Sequence, residues 1–237
     1  MNIFRYAADL MFPPKCIYCG KLLKPETRPF ICENCMDNIP CEHNNCAKCG
    51  GKLNMIDGRP VCTTCRTAGR YFDASLASAD YDGAVREAVA EFKFRYRMYM
   101  SASLAYFLAD KLKQLGINKE NIDYVTGVPC DIARTKQRGF DSAGLLAKET
   151  AAALGIPYKT GVLEKIHSTR SQRGLDANER AKNVKGAYKA AKPDDIKGKS
   201  ILLVDDIITT GSTITETSRI LKRSGAKYVF AATVAKA

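Results

Sequence analysis

The pattern of apolar and polar positions is sharpest near the C-terminus. Four consecutive apolar residues, Ile201 to Val204, predict a strand buried on both faces, as inside a parallel sheet. From Ile214 to Ser224, the residues Ile214, Ile220 and Leu221 make the apolar stripe of a helix. Lys222 and Arg223 fall in its last turn, and Gly225 can close it in a left-handed cap. Thr213 and Glu216 have the spacing of a capping box at its start. Upstream, Ser75 to Tyr81 and Ile122 to Val128 read as strands, the second running into Pro129-Cys130-Asp131. Helical patterns span about Gly83 to Arg97, Ser101 to Leu115 with Gly116 as a stop, and Asp141 to Leu154. The first twelve residues carry Arg5 and Asp9 inside an apolar run, which suits a short amphipathic helix rather than a secretory leader.

Between the late strand and its helix stand two acids, Asp205 and Asp206, where the strand is expected to end. Thr209-Thr210-Gly211-Ser212-Thr213 follows, small and hydroxyl-rich. A strand turning tightly into a helix N-terminus offers free backbone N–H groups and the positive end of the helix dipole, and a phosphate monoester is its natural occupant. The acids repel phosphate, but they can accept hydrogen bonds from vicinal hydroxyls or help to place a magnesium ion. Phosphate, diol and metal together describe a ribose 5-phosphate. No G-x-x-x-x-G-K-[ST] and no G-x-G-x-x-G after a strand competes for the role.

This run resembles the phosphoribosyl-diphosphate (PRPP) motif of type I phosphoribosyltransferases. The resemblance implies an α/β fold, a mainly parallel sheet flanked by helices, and PRPP bound with magnesium. Thr209, Thr210, Gly211, Ser212 and Thr213 would take the 5′-phosphate, and Asp205 and Asp206 the ribose hydroxyls. In that family the loop after an earlier strand holds the diphosphate. Val128 to Ala133 resembles that loop, which assigns Pro129, Cys130 and Asp131 there, with Arg134, Lys136 and Arg138 as counter-charges. Residues 166 to 188, polar and basic, resemble the loop that closes over PRPP, with Arg170, Gln172 and Arg173 as candidates for the closing contacts.

Nine of the ten cysteines lie between residues 16 and 65. Cys16-x-x-Cys19, twelve residues and Cys32-x-x-Cys35 form one quartet. Cys46-x-x-Cys49, twelve residues and Cys62-x-x-Cys65 repeat it. Paired knuckles of this spacing each grip one side of a tetrahedron, so two structural zinc sites are expected, with no open coordination position. Pairing within each repeat is the simpler arrangement; an interleaved one stays open, as does substitution by Cys41 or His43. The expected division is a double zinc-ribbon module over 1–72 and a catalytic domain over 73–237, joined by a hinge at 66–74.

Composition narrows the partners. Of the residues, 46% are apolar and 26% charged, and no apolar run reaches the roughly 18 to 20 residues of a membrane span, so a cytoplasmic protein is expected. The net charge of +12 is uneven: residues 134–199 hold 15 Lys/Arg against 7 Asp/Glu, whereas 73–133 hold 7 against 9. Such a basic region suits PRPP and nucleic acid alike. Glu91 to Tyr99 interleaves aromatics with cations, as a base-stacking surface does. At helical spacing Phe92, Tyr96 and Tyr99 share one face, which favours a place in the core.

Taken over the full chain, the tandem Cys-x-x-Cys pairs, the Arg-Gly-Phe loop, the Gln-Arg-Gly-Leu and Asn-x-x-Gly-Ala-Tyr segment and the Asp-Asp motif resemble the ComF family. These are bacterial competence-associated, phosphoribosyltransferase-like proteins with an N-terminal zinc ribbon. The resemblance implies a PRPP-dependent transferase linked to natural transformation and DNA uptake. The alternative it allows is a non-catalytic protein that binds single-stranded DNA or a competence helicase and uses the PRPP pocket as a sensor.

Overall fold

The computed structural model describes residues 3–41, 46, 48, 61–62, 65–66, 69–167 and 177–237. Its centre is a four-stranded parallel sheet in the order β1 (Ala74–Asp80), β6 (Tyr228–Lys236), β5 (Ser200–Ile208), β2 (Tyr124–Gly127). Strand β5 is buried on both faces, as its unbroken apolar run predicts. Its alternate residues serve two cores. Leu202 and Val204 join α3 (Gly83–Phe94), α4 (Met100–Gln114) and α6 (Ser142–Leu154) on one face; Ile201 and Leu203 join α8 (Ser212–Arg223) on the other. Helix α6 lies so close on β2 that a Cβ on Gly127 would stand 2.9 Å from the Ala143 backbone.

The cysteine module straddles this sheet. Cys16, Tyr18, Ile31, Cys32 and Cys35 belong to the first core, where Tyr18 meets Phe107 of α4 edge-on at 5.7 Å. Cys46, Cys65 and Phe72 belong to the second. Helix α1 (Ile3–Met11) is tied down through Asp9, which accepts the Glu26 amide at 2.8 Å and pairs with Arg28 at 3.2 Å. Between the two cores the module runs along the free side of β1. Asp80 donates its amide to the Pro40 carbonyl, Cys41 Sγ donates to the Ala77 carbonyl, and Ser75 Oγ donates to that of Lys48. The C-terminal part of the stretch expected to be a hinge is therefore pinned: Phe72 is 1% exposed, and Asp73 accepts the Val229 amide at 2.8 Å. The two apolar faces of one sheet explain the difference, because a ribbon too small to bury a core of its own borrows both of them.

Three further expectations are corrected. Residues 134–138 are not loop but part of α5 (Ile132–Arg138), which Asp131 starts by accepting the Ala133 amide and Gly139 ends in the left-handed region. Helix α3 stops at Phe94, so the face linking Phe92 to Tyr96 and Tyr99 is never completed. Phe92 is buried, whereas Tyr96 and Tyr99 are exposed. The basic segment after Ile166 contains α7 (Ala177–Val184) and enters β4 (Tyr188–Ala190), which pairs antiparallel with β3 (Leu163–Lys165). No helix among the described residues is long and apolar enough to cross a membrane.

Candidate active site

β2 gives out before β5 does. Their register ends at Gly127 opposite Val204, while β5 continues beside β6 to Ile208 opposite Lys236. The two acids are thus within the strand, not at its end, and they face the space that β2 vacates as the chain turns into Pro129. A cavity of about 630 Å³ opens there, beyond the C-terminal end of a parallel sheet where such folds take their ligands. Asp205 and Asp206 line it, together with Pro129, Cys130, Asp131, Arg134, Arg138, Thr209 and Thr213.

The acids differ in company. Asp206 Oδ1 meets Lys93 Nζ at 2.8 Å and Oδ2 accepts the Ser142 hydroxyl at 3.1 Å. Burial raises its pKa, but the lysine charge and these hydrogen bonds outweigh burial and hold it below the ordinary carboxylate range. Asp205 is pushed well above that range, first by burial and then by the charge of Asp206. Its own hydrogen bond is with the Asp206 amide, at 2.8 Å.

Much of the remaining lining is cationic. Arg134 and Arg138 share one face of α5, whereas Lys136 points to solvent and takes no part in the cavity. Arg138 also stacks 5.3 Å over Phe94. Asp131 is engaged on the protein side, capping α5 and lying 3.6 Å from Lys165. Lys93, Lys165, Arg180 and Tyr188 line the same cavity. None of these four was singled out from sequence as a site residue. Lys93 sat in a segment noted for its cations, and the other three flank or lie within the segment compared to a closing loop. Arg180 Nε is buried and has no hydrogen-bond partner among the described residues, so it can receive an anionic ligand. Arg170, Gln172 and Arg173 lie outside the described residues.

The small-residue turn differs from expectation in its cap. Helix α8 begins at Ser212 behind Gly211, whose φ is +74°, and no side chain caps it. Glu216 does not reach back to Thr213; its carboxylate accepts the Gly186 amide at 2.8 Å and pairs with Arg219 at 2.6 Å. Thr209 and Thr213 line the cavity, while the hydroxyls of Thr210 and Ser212 bond to each other at 2.8 Å. Arg70 grips the turn from outside, through the Thr210 carbonyl and the Thr215 hydroxyl.

In the cysteine module, the sulfurs of Cys16, Cys19, Cys32 and Cys35 all lie within 4.8 Å of one another, as do those of Cys46, Cys62 and Cys65. Pairing is therefore within each repeat; Cys49 and His43 lie outside the described residues. The repeats match in detail: the Cys32 amide donates to Cys16 Sγ at 3.4 Å, and the Cys62 amide to Cys46 Sγ at 3.2 Å. Amide donors aimed at sulfur favour thiolate, and the set fits a tetrahedral zinc. Cys41 packs against β1 instead. These cysteines are the only groups of three or more potential ligands among the described residues. A magnesium ion would therefore rely on one or two carboxylates and the oxygens of its substrate, which is its usual habit.

Comparison with known proteins agrees with this anatomy. The family described as Phosphoribosyl transferase domain matches residues 101–237, and that described as Double zinc ribbon domain matches 7–67. Competence protein F of Haemophilus influenzae is 27% identical over 236 residues, 97% of this chain and 96% of that protein. DNA utilization protein YhgH of Escherichia coli is 26% identical over 203 residues, 84% of this chain and 87% of that one. Among solved structures, a glutamine PRPP amidotransferase from B. subtilis, complexed with ADP and GMP, is 27% identical with a TM-score of 0.39. That match covers 56% of this chain and 26% of the amidotransferase.

Proposed function

The chain belongs to the phosphoribosyl transferase domain family, and on that premise we propose that its cavity binds PRPP with magnesium, as a ComF-type protein serving natural competence and DNA uptake. The observation that carries this reading is the pair Asp205 and Asp206 on the lining of one cavity, which they share with Thr209 and Thr213 of the small-residue turn and with Arg134 and Arg138 of α5. In this reading the two acids grip the ribose hydroxyls, and the turn Thr209–Thr213 takes the 5′-phosphate on its amides. Arg134 and Arg138, with the amides of Cys130 and Asp131 in the loop that Pro129 opens, hold the diphosphate, and Asp131 orients Lys165 beside them. Arg170, Gln172 and Arg173 close over the ligand. Magnesium, when bound, neutralises charge on the departing diphosphate. The chain itself contributes orientation, exclusion of water and a preorganised positive field for that leaving group. The two cysteine sets each hold a structural zinc in residues 1–72, outside the transferase domain 73–237. Cysteines gathered into such ligand sets suit a reducing cytoplasm.

Isothermal titration tests the reading. PRPP–magnesium binds the parent chain, and Asp205→Asn combined with Asp206→Asn abolishes the heat; undiminished binding in the double variant would count against it. Product release assays across purines, pyrimidines and ammonia then identify the acceptor.

A second reading is favoured by one feature. Phe94, Tyr96 and Tyr99 are each about half exposed in a segment that also carries Arg95 and Arg97, and Phe94 and Tyr96 line the cavity. Such a surface suits single-stranded DNA or a helicase partner, with the PRPP pocket as sensor. DNA affinity should then fall steeply with salt, and no detectable binding at low salt excludes the role for this chain alone.

A further inference from the structure

Arg70 reaches the phosphate turn from the other domain. It follows the second cysteine set by five residues, and the chain is fixed on its far side by buried Phe72 and by Asp73, which pairs with Lys222 at 2.6 Å. From there Nη2 donates to the Thr210 carbonyl at 2.7 Å and Nη1 to the Thr215 hydroxyl at 2.9 Å. Nη1 also fills the space beside Gly211, 2.6 Å from where a Cβ would stand, so the glycine provides room for the guanidinium as well as its positive φ.

A peptide unit is planar and trans, so its C=O and N–H point in opposite directions. Holding the Thr210 carbonyl therefore fixes the direction of the Gly211 N–H, which meets no acceptor among the described residues. Through Thr215 the same guanidinium ties the turn to the first turn of α8. A planar fork with two donors suits this double grip better than a single ammonium would.

We propose that Arg70 is a positioning residue for the anion-binding turn, supplied to the transferase domain by the cysteine module. The proposal rests on the pocket reading above, since it names the part of that pocket that takes a phosphate monoester.

The test uses the full chain and two small probes, ribose 5-phosphate for the turn and pyrophosphate–magnesium for the arginines of α5. Arg70→Ala weakens ribose 5-phosphate by about tenfold or more, because two hydrogen bonds from a charged donor are lost. It leaves pyrophosphate affinity within about twofold. Amide hydrogen exchange across Thr209–Thr215 quickens, while zinc content stays at the parent value. Arg70→Lys recovers part of the affinity. Thr215→Val, a smaller change that keeps Arg70 in place, gives an intermediate loss and keeps the question decidable if Arg70→Ala does not fold. Equal weakening of both probes marks Arg70 as a general strut and overturns the proposal, as does unchanged ribose 5-phosphate affinity. A parent chain that binds pyrophosphate but never ribose 5-phosphate sinks the pocket reading itself; unchanged exchange of the turn in Arg70→Ala then overturns the positioning role too.

Discussion

Among the described residues only Asp206 of the two neighbouring acids has a cation in contact, and the difference sets what each does to stability. Asp206 is matched by Lys93, so Asp206→Asn strands a largely buried ammonium and costs about 2–4 kcal/mol. Asp205 has its pKa raised, so the folded state holds its proton more readily than the unfolded chain does. The stability that this proton confers is complete at low pH and lost as pH rises through the raised value. Asp205→Asn should therefore raise the urea midpoint at pH 8, and the gain should shrink as pH falls through that window. Asp206, with its pKa lowered, gives the opposite sign: its contribution persists above the carboxylate range and fades on strong acidification. At this scale the sequence disclosed what is local. The acids and the threonine–glycine turn are contiguous, and their chemistry is stated by their order. Arg70 was invisible because its partners lie 140 and 145 residues away, and nothing in its own surroundings marks it.

Elements were legible where hydrophobic period decides them and obscure where a single side chain does. The apolar run of β5 and the stripe of α8 announced themselves. The end of α3 did not, and two tyrosines expected in the core stand in solvent because the helix stops before the next turn could bury them. The capping box failed for a related reason. Glu216 had better donors available, the Gly186 amide and the Arg219 guanidinium, and that choice ties α8 to the turn between α7 and β4. Glu216→Ala should cost about 1.5–3 kcal/mol, read by urea unfolding at neutral pH. Arg219 foremost, helped by the Gly186 amide and opposed by burial, holds Glu216 below its ordinary range. Its contribution is thus present above that range and lost below about pH 4, where parent and variant should converge.

For the whole molecule, the Cys-x-x-Cys spacing gave the ribbon, and the Asp-Asp motif gave the fold. Neither could show that the two parts share both cores, since that depends on surfaces far apart in sequence. A chain limited to residues 73–237 bares Phe107 of α4 on one face and the neighbours of Phe72 on the other. It should bind a hydrophobic dye and fail to unfold cooperatively, although the family match alone makes it look self-sufficient. Chelation of the intact protein should likewise lower the transition of the whole chain rather than of the ribbon alone. The module's path along β1 matters for a different reason. An outermost strand with unclaimed carbonyls invites the same strand of another molecule to continue the ladder. Here the groups of Ala77 and Asp80 are already taken by Cys41 and Pro40. The ribbon is in that sense a hem, and the sheet of one molecule cannot be stitched to the next along that border.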